Sequence, residues 1–149
     1  MENFNTLEKV QDLFRNAGCQ GKENCYFITY KDAAKSKNGV VGGMEYPYGG
    51  LLLNQTEEGI GLFYLDFKKM FTLRSDISNM KISEKDAYHF IPNADIKKVV
   101  VKKGLFNSKV KSITIQTSDR KHRLLAKVDE PLIPYHNENL MQFESRYAK

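Results

Sequence analysis

The sequence predicts an α+β fold, mainly antiparallel β, built as one domain over residues 1–149. Three observations lead there. Ile96–Val101, Lys109–Thr117 and Arg120–Val128 are consecutive runs rich in Val, Ile and Thr, whose branched side chains suit a pleated surface. Turn-forming stretches separate them: Gly104–Ser108, then Thr117–Arg120 with its Ser-Asp pair. A helix with one apolar stripe is expected at each end of the chain.

In chain order, Thr6–Ala17 reads as the first helix. Leu7, Val10, Phe14 and Ala17, with Leu13 beside them, form its apolar stripe. Asn5 or Thr6 is the expected cap, Glu8 suits the first turn, and Gly18 is a natural stop. The stripe marks a docking helix that covers the sheet. Cys25–Tyr30 is the first candidate strand, while Asp32–Lys37 stays open between helix and loop. The glycines of 39–50 lack the Gly-Lys-Ser/Thr of a phosphate loop and the spacing of a dinucleotide fingerprint, so they read as turns or a strand kink.

Leu51–Leu65 resembles a hairpin with its turn at Asn54–Gly59. Phe71–Arg74 is a possible strand, and Ser75–Asp86 holds either one more short strand around Met80 and Ile82 or a loop. Tyr88–Ile91 is a short apolar run ahead of the three main strands. The first of these, Lys97–Lys103, does not alternate, which a bulge or burial on both faces at mid-strand explains. The next two alternate: Lys111, Ile113 and Ile115 share one face, and His122, Leu124, Ala126 and Val128 lie opposite Arg123, Leu125 and Lys127. Pro131 and Pro134 read as an extended connector. Asn137 is the expected cap of a terminal helix with the stripe Leu140, Phe143 and Tyr147.

Charge is unevenly spread. Between Lys97 and Lys127 stand ten basic residues and one acidic one, a net +9 in a chain whose total is +5, so the remainder carries −4. A one-sided field bears on partners rather than on fold. No apolar run approaches the eighteen or so residues of a membrane span. Met1–Phe4 lacks the basic and apolar regions of a secretory leader, so a cytoplasmic location is expected. Cys19 and Cys25 are expected as reduced thiols, and their spacing to His89, His122 and His136 is not that of a metal site.

One stretch carries a family likeness. After a hairpin rich in aromatics (Gly59–Phe67) come His89-Phe90-Ile91-Pro92-Asn93-Ala94-Asp95-Ile96-Lys97-Lys98-Val99, then Lys102-Lys103-Gly104-Leu105-Phe106, an Ile-Thr-Ile strand, a basic strand and one amphipathic helix. This resembles the bacterial branch of the pleckstrin-homology-like superfamily over roughly Leu51–Tyr147, leaving 1–50 as an N-terminal helix and extension. The resemblance implies a strongly bent antiparallel roll of about seven strands, plugged at one end by the last helix. In lipid-binding members basic residues flank the first hairpin loop. Here that loop, Asn54–Glu58, is acidic, and the chain has no Trp for the terminal helix.

For function, His89, Asp95 and His122 are the groups to weigh for catalysis. Acid–base chemistry needs such groups to converge in a pocket, and no Gly-x-Ser-x-Gly or His-Glu-x-x-His motif accompanies them. His122 follows the apolar face of its strand and is expected to be half-buried and hydrogen-bonded. The expected role is a non-catalytic binding module with no cofactor and no metal, its ligand most readily another protein added at a sheet edge. The candidate contact residues are Lys97, Lys98, Lys102, Lys103, Leu105, Phe106, Lys109, Lys111, Arg120, Lys121 and Arg123. An anionic membrane surface is the alternative, with Leu105 and Phe106 as an apolar tip among lysines. Nucleic acid ranks third, because Phe106 is the one aromatic between Ile91 and Tyr135 and offers no stacking platform. The bland reading of the lysines is a solvated face whose stems cover apolar neighbours.

Overall fold

A computed structural model describes residues 4–31, 49–67, 80–82, 87–103 and 109–147. Helix α1 (Leu7–Asn16) is followed by β1 (Asn24–Lys31), β2 (Gly49–Thr56), β3 (Gly59–Phe67), β4 (Met80–Ile82) and β5 (Tyr88–Pro92). A 3-10 turn, Asn93–Asp95, leads into β6 (Ile96–Lys103), β7 (Val110–Thr117), β8 (Lys121–Lys127) and helix α2 (His136–Tyr147). Every pairing among the described residues is antiparallel. The sheet runs β4-β3-β2-β1-β8-β7-β6. β5 also pairs with β3, so β4 and β5 lie end to end along one row.

That order forces curvature. β5 lies on one margin of a seven-row sheet and β6 on the other, yet only three residues separate them. Seven flat rows would hold the margins about 29 Å apart. Four Cα steps span at most about 15 Å. The sheet therefore curls until its margins approach, although among the described residues no ladder joins them. Asn93 pins the crossing: its N–H and side-chain amide donate to the carbonyls of Glu58 (3.0 Å) and Glu57 (2.7 Å).

Strict alternation gives the sheet two apolar faces. Phe27, Leu53, Leu62, Ile113, Ile115 and Leu124 line the concave face, where Leu140 and Phe143 of α2 bury. Phe143 stacks edge-on against Phe27 at 5.0 Å. Tyr26, Ile28, Leu52 and Phe63 form the convex face of β1–β3, where α1 seats Val10 and Phe14. α1 ends as its sequence dictates. Gly18 adopts φ 81°, its N–H bonds the Arg15 carbonyl and that of Cys19 the Phe14 carbonyl, which satisfies two otherwise orphaned helix acceptors. Gly61 makes the close approach of this corner to β3 possible, because a Cβ there would sit 2.6 Å from Cys19 Sγ.

Several expectations need correction. The expected N-terminal extension supplies a row of the sheet itself, since β1 is the middle row. The β2–β3 turn is only Glu57-Glu58, because Asn54–Thr56 continue the ladder. Glu57 is occupied within the fold: its carboxylate accepts the N–H groups of Lys22 (2.9 Å) and Glu23 (3.1 Å), which hold it below the usual carboxylate range. Pro131 and Pro134 do not extend the chain. Each takes the second position of a turn, closed by Ile133 N–H to Glu130 O (3.0 Å) and His136 N–H to Ile133 O (3.1 Å). Asn137 does not cap α2; it holds Asp129 and Glu130 instead. Leu7 stands 39% exposed outside the stripe. The expected bulge is present, as a register shift between Ile96 and Lys98. The expected helix or loop at Asp32–Lys37 and the strand at Phe71–Arg74 lie outside the described residues.

Among the described residues β1 and β8 pair at Tyr30↔Leu125 and Lys31↔Leu124. Upstream the strands part, and α2 supplies the missing bonds. Fully buried His136 receives the Ile28 N–H at Nδ1 (3.2 Å) and reaches the Lys127 carbonyl through Nε2 (2.6 Å). Asn139 donates to the Tyr26 carbonyl (2.8 Å). Replacing His136 by Ala strands a buried donor and a buried acceptor, each costing about 1–3 kcal/mol. At about 2–4 °C per kcal/mol, His136→Ala is expected to lower Tm by roughly 5–20 °C in a thermal melt, whereas the exposed control Met141→Ala leaves it nearly unchanged.

Candidate functional site

The candidate cations divide by strand parity. The pairs Lys98↔Gln116, Lys102↔Ser112, Gln116↔Lys121 and Thr114↔Arg123 place Lys98, Lys102, Lys121 and Arg123 on the convex face of β6–β8. Lys111 is on the opposite face and binds Glu144 of α2, so it serves the plug and not a ligand. Lys97 sits in the bulge, and Lys103 ends β6 with the concave-face parity; both are exposed. Lys109 is exposed just before β7, and Arg120 closes the β7–β8 turn. Leu105 and Phe106 lie outside the described residues. The cations were legible as a group in sequence, but the fold brings only four of them onto one face.

β6 is a margin of the sheet: among the described residues it pairs with β7 alone. Which backbone groups face outward follows from the neighbouring ladder. Thr117 N–H bonds Arg120 O (2.9 Å) and Val128 N–H bonds Lys109 O (2.8 Å), so odd-numbered residues of β7 bond toward β8. Even-numbered ones bond toward β6, where their partners are Lys98, Val100 and Lys102. Antiparallel strands alternate in this respect. The N–H and C=O of Val99, Val101 and Lys103 therefore point out from the open edge.

Beside that edge runs an open groove of about 780 Å³. One wall is β6 from Ile96 to Val101, and the other is Arg146 and Tyr147 of α2. Tyr147 was expected only as core; Arg146 was not singled out, although a basic residue in a last helical turn is the signal that could have found it. Arg146 is held in place by the side chain of Gln55 and by Glu23 at 3.7 Å. Tyr147 accepts a hydrogen bond from Gln55 at 3.3 Å. Among the described residues no carboxylate lines the groove, whereas Lys97, Lys98 and Arg146 do.

His89 and His122 meet on the concave side, with ring centroids 5.8 Å apart. With Asp95, Asp119 and Arg120 they line a cavity of about 140 Å³. Contrary to expectation, Nε2 of His122 is buried with no hydrogen-bond partner. Burial, then the neighbouring His89 and Arg120, push His122 below the ordinary histidine range, against Asp119. Among the described residues no group of three or more His, Cys, Asp or Glu is placed to hold a metal ion. No described helix is long and apolar enough to cross a membrane. Comparison with protein-family models, curated proteins and solved structures returned no match.

His136 is also pushed down, chiefly by burial, and its acceptor role at Nδ1 requires the neutral ring. The unfolded chain takes up protons on both histidines near pH 6.5, while the folded chain resists until lower pH. Stability is therefore expected to fall as pH drops from 7.5 to 5.5. A melt at both values reads this as a lower Tm at pH 5.5, and His122→Asn shrinks the difference; equal melting temperatures would contradict the assignment.

Proposed function

We propose that this chain is a non-catalytic binding module that takes up an extended segment of another protein as an added strand on β6. The observation that carries this reading is the open edge itself. Outward N–H and C=O groups of Val99 and Val101 adjoin a groove with an apolar floor and a helical wall. Main-chain bonds supply affinity in such a mode, and alternate side-chain pockets supply selectivity. The same reading includes a pleckstrin-homology-like ancestry and a cytoplasmic location. The curled antiparallel sheet with a terminal helix in its concavity supports the first.

A second reading has its own observation. Lys98, Lys102, Lys121 and Arg123 share the convex face, and an anionic membrane surface is the natural partner of such a face. Nucleic acid ranks lower, since the paired convex positions of β6–β8 carry no aromatic side chain on which a base could stack.

Hydrogen exchange on the protein bound to a captured partner separates these readings. Fast exchange is expected at Val99, Val101 and Lys103 in the free protein, and strand addition is expected to slow it. Val101→Pro removes one outward N–H, leaves the β7 ladder bonds of Val100 and Lys102 in place, and is expected to weaken binding at least tenfold. Unchanged exchange along β6, or full binding by Val101→Pro, would rule strand addition out.

A further inference from the structure

We propose that the segment taken up by β6 is acidic, with Asp or Glu at two positions four residues apart and apolar residues between them. This rests on the strand-addition reading and adds the chemistry of the partner. β6 is banded: Lys97-Lys98, then Val99-Val100-Val101, then Lys102-Lys103. Lys98, Val100 and Lys102 point to the convex side, while Val99 and Val101 point to the concave side beside Tyr147.

A strand laid along the edge places its side chains about 5 Å from their cross-strand neighbours. Opposite Lys98 and Lys102 it meets two exposed ammonium groups, some 13 Å apart along the strand. Opposite Val99 and Val101 it meets the apolar floor. The matching five-residue pattern is acidic, apolar, β-branched, apolar, acidic. It reads the same in both directions, so it holds whichever way the strand runs. Lys97 and Arg146 add positive charge along the groove, that of Arg146 partly offset by the exposed carboxylate of Glu23.

The same banding selects against a second copy of this chain. Two β6 edges paired antiparallel about Val100 would set Lys98 against Lys102 twice, and like charges directly opposed destabilise a strand pair. Lysines on an edge also discourage indiscriminate pairing, so the partner must bring charges that answer them.

The test is selection of a displayed library of random dodecapeptides on the full chain, followed by fluorescence anisotropy of the enriched peptides. Enrichment of Asp or Glu at four-residue spacing around apolar residues is expected. Two exposed ion pairs at about 0.2–1 kcal/mol each predict a 2- to 30-fold weaker Kd for Lys98→Gln/Lys102→Gln, with unchanged Tm. Lys98→Glu/Lys102→Glu is expected to turn the preference to basic peptides. Neutral peptides that protect Val99 and Val101 from exchange would overturn the acidic partner and leave strand addition standing. Peptides that protect other amides, or no enrichment at all, would overturn both. Sedimentation with phosphatidylserine vesicles in the absence of any peptide enrichment would also overturn both, in favour of the membrane.

Discussion

The fold depends on a gap and the side chain that closes it. β1 and β8 must be neighbours for the sheet to be continuous, yet their pairing stops upstream of Tyr30↔Leu125. An unpaired buried peptide group is as costly as a lost hydrogen bond, so this parting is stable only with substitutes at hand. His136 and Asn139, on the first turn of α2, provide them. One neutral imidazole bonds both strands, accepting from β1 and donating to β8. The helix is thus an intrinsic part of the sheet's hydrogen bonding as well as a cover for its core.

With α2 fixed there, the rest of the arrangement follows. Leu140 and Phe143 fall over the concave core, Glu144 meets Lys111, and Tyr147 reaches the margin of β6. The convex face is treated asymmetrically. α1 and the Ile133–Tyr135 turn cover the β1–β3 half, where the residues are large and apolar. On the β6–β8 half most of the corresponding positions are polar, Lys98, Lys102, Ser112, Thr114, Gln116, Lys121, Arg123 and Lys127, with Val100, Val110 and Leu125 among them. An edge with unused backbone groups therefore borders a face of positive charge, and the two features bear on partner choice together.

Much of this was legible locally. Strand existence, the bulge near Lys97, the Ser-Asp turn and the Gly18 stop all follow from side-chain branching, parity and backbone freedom within a few residues. The errors share a cause. Asn54 looked like a turn residue because nothing nearby accounts for it. Its buried amide serves Cys25 N–H and Cys19 O, 29 and 35 residues away. Asn137 and Pro131 misled in the same way, since their partners are the two consecutive turns ahead of α2. Local propensity ranks conformations, and remote hydrogen bonds then choose among them.

By itself the sequence determined that this chain is mainly antiparallel β with a helix at each end, and that its positive charge lies in the last three strands. These properties depend on side chains a few residues apart, through parity, branching and charge. Tertiary structure decided that β1 is central, that β6 is a margin, and that Arg146 and Tyr147 wall a groove beside it. Strand order sets those features. It arises from contacts between residues up to a hundred or more positions apart, such as Ile28 with His136, whose energies no local pattern encodes.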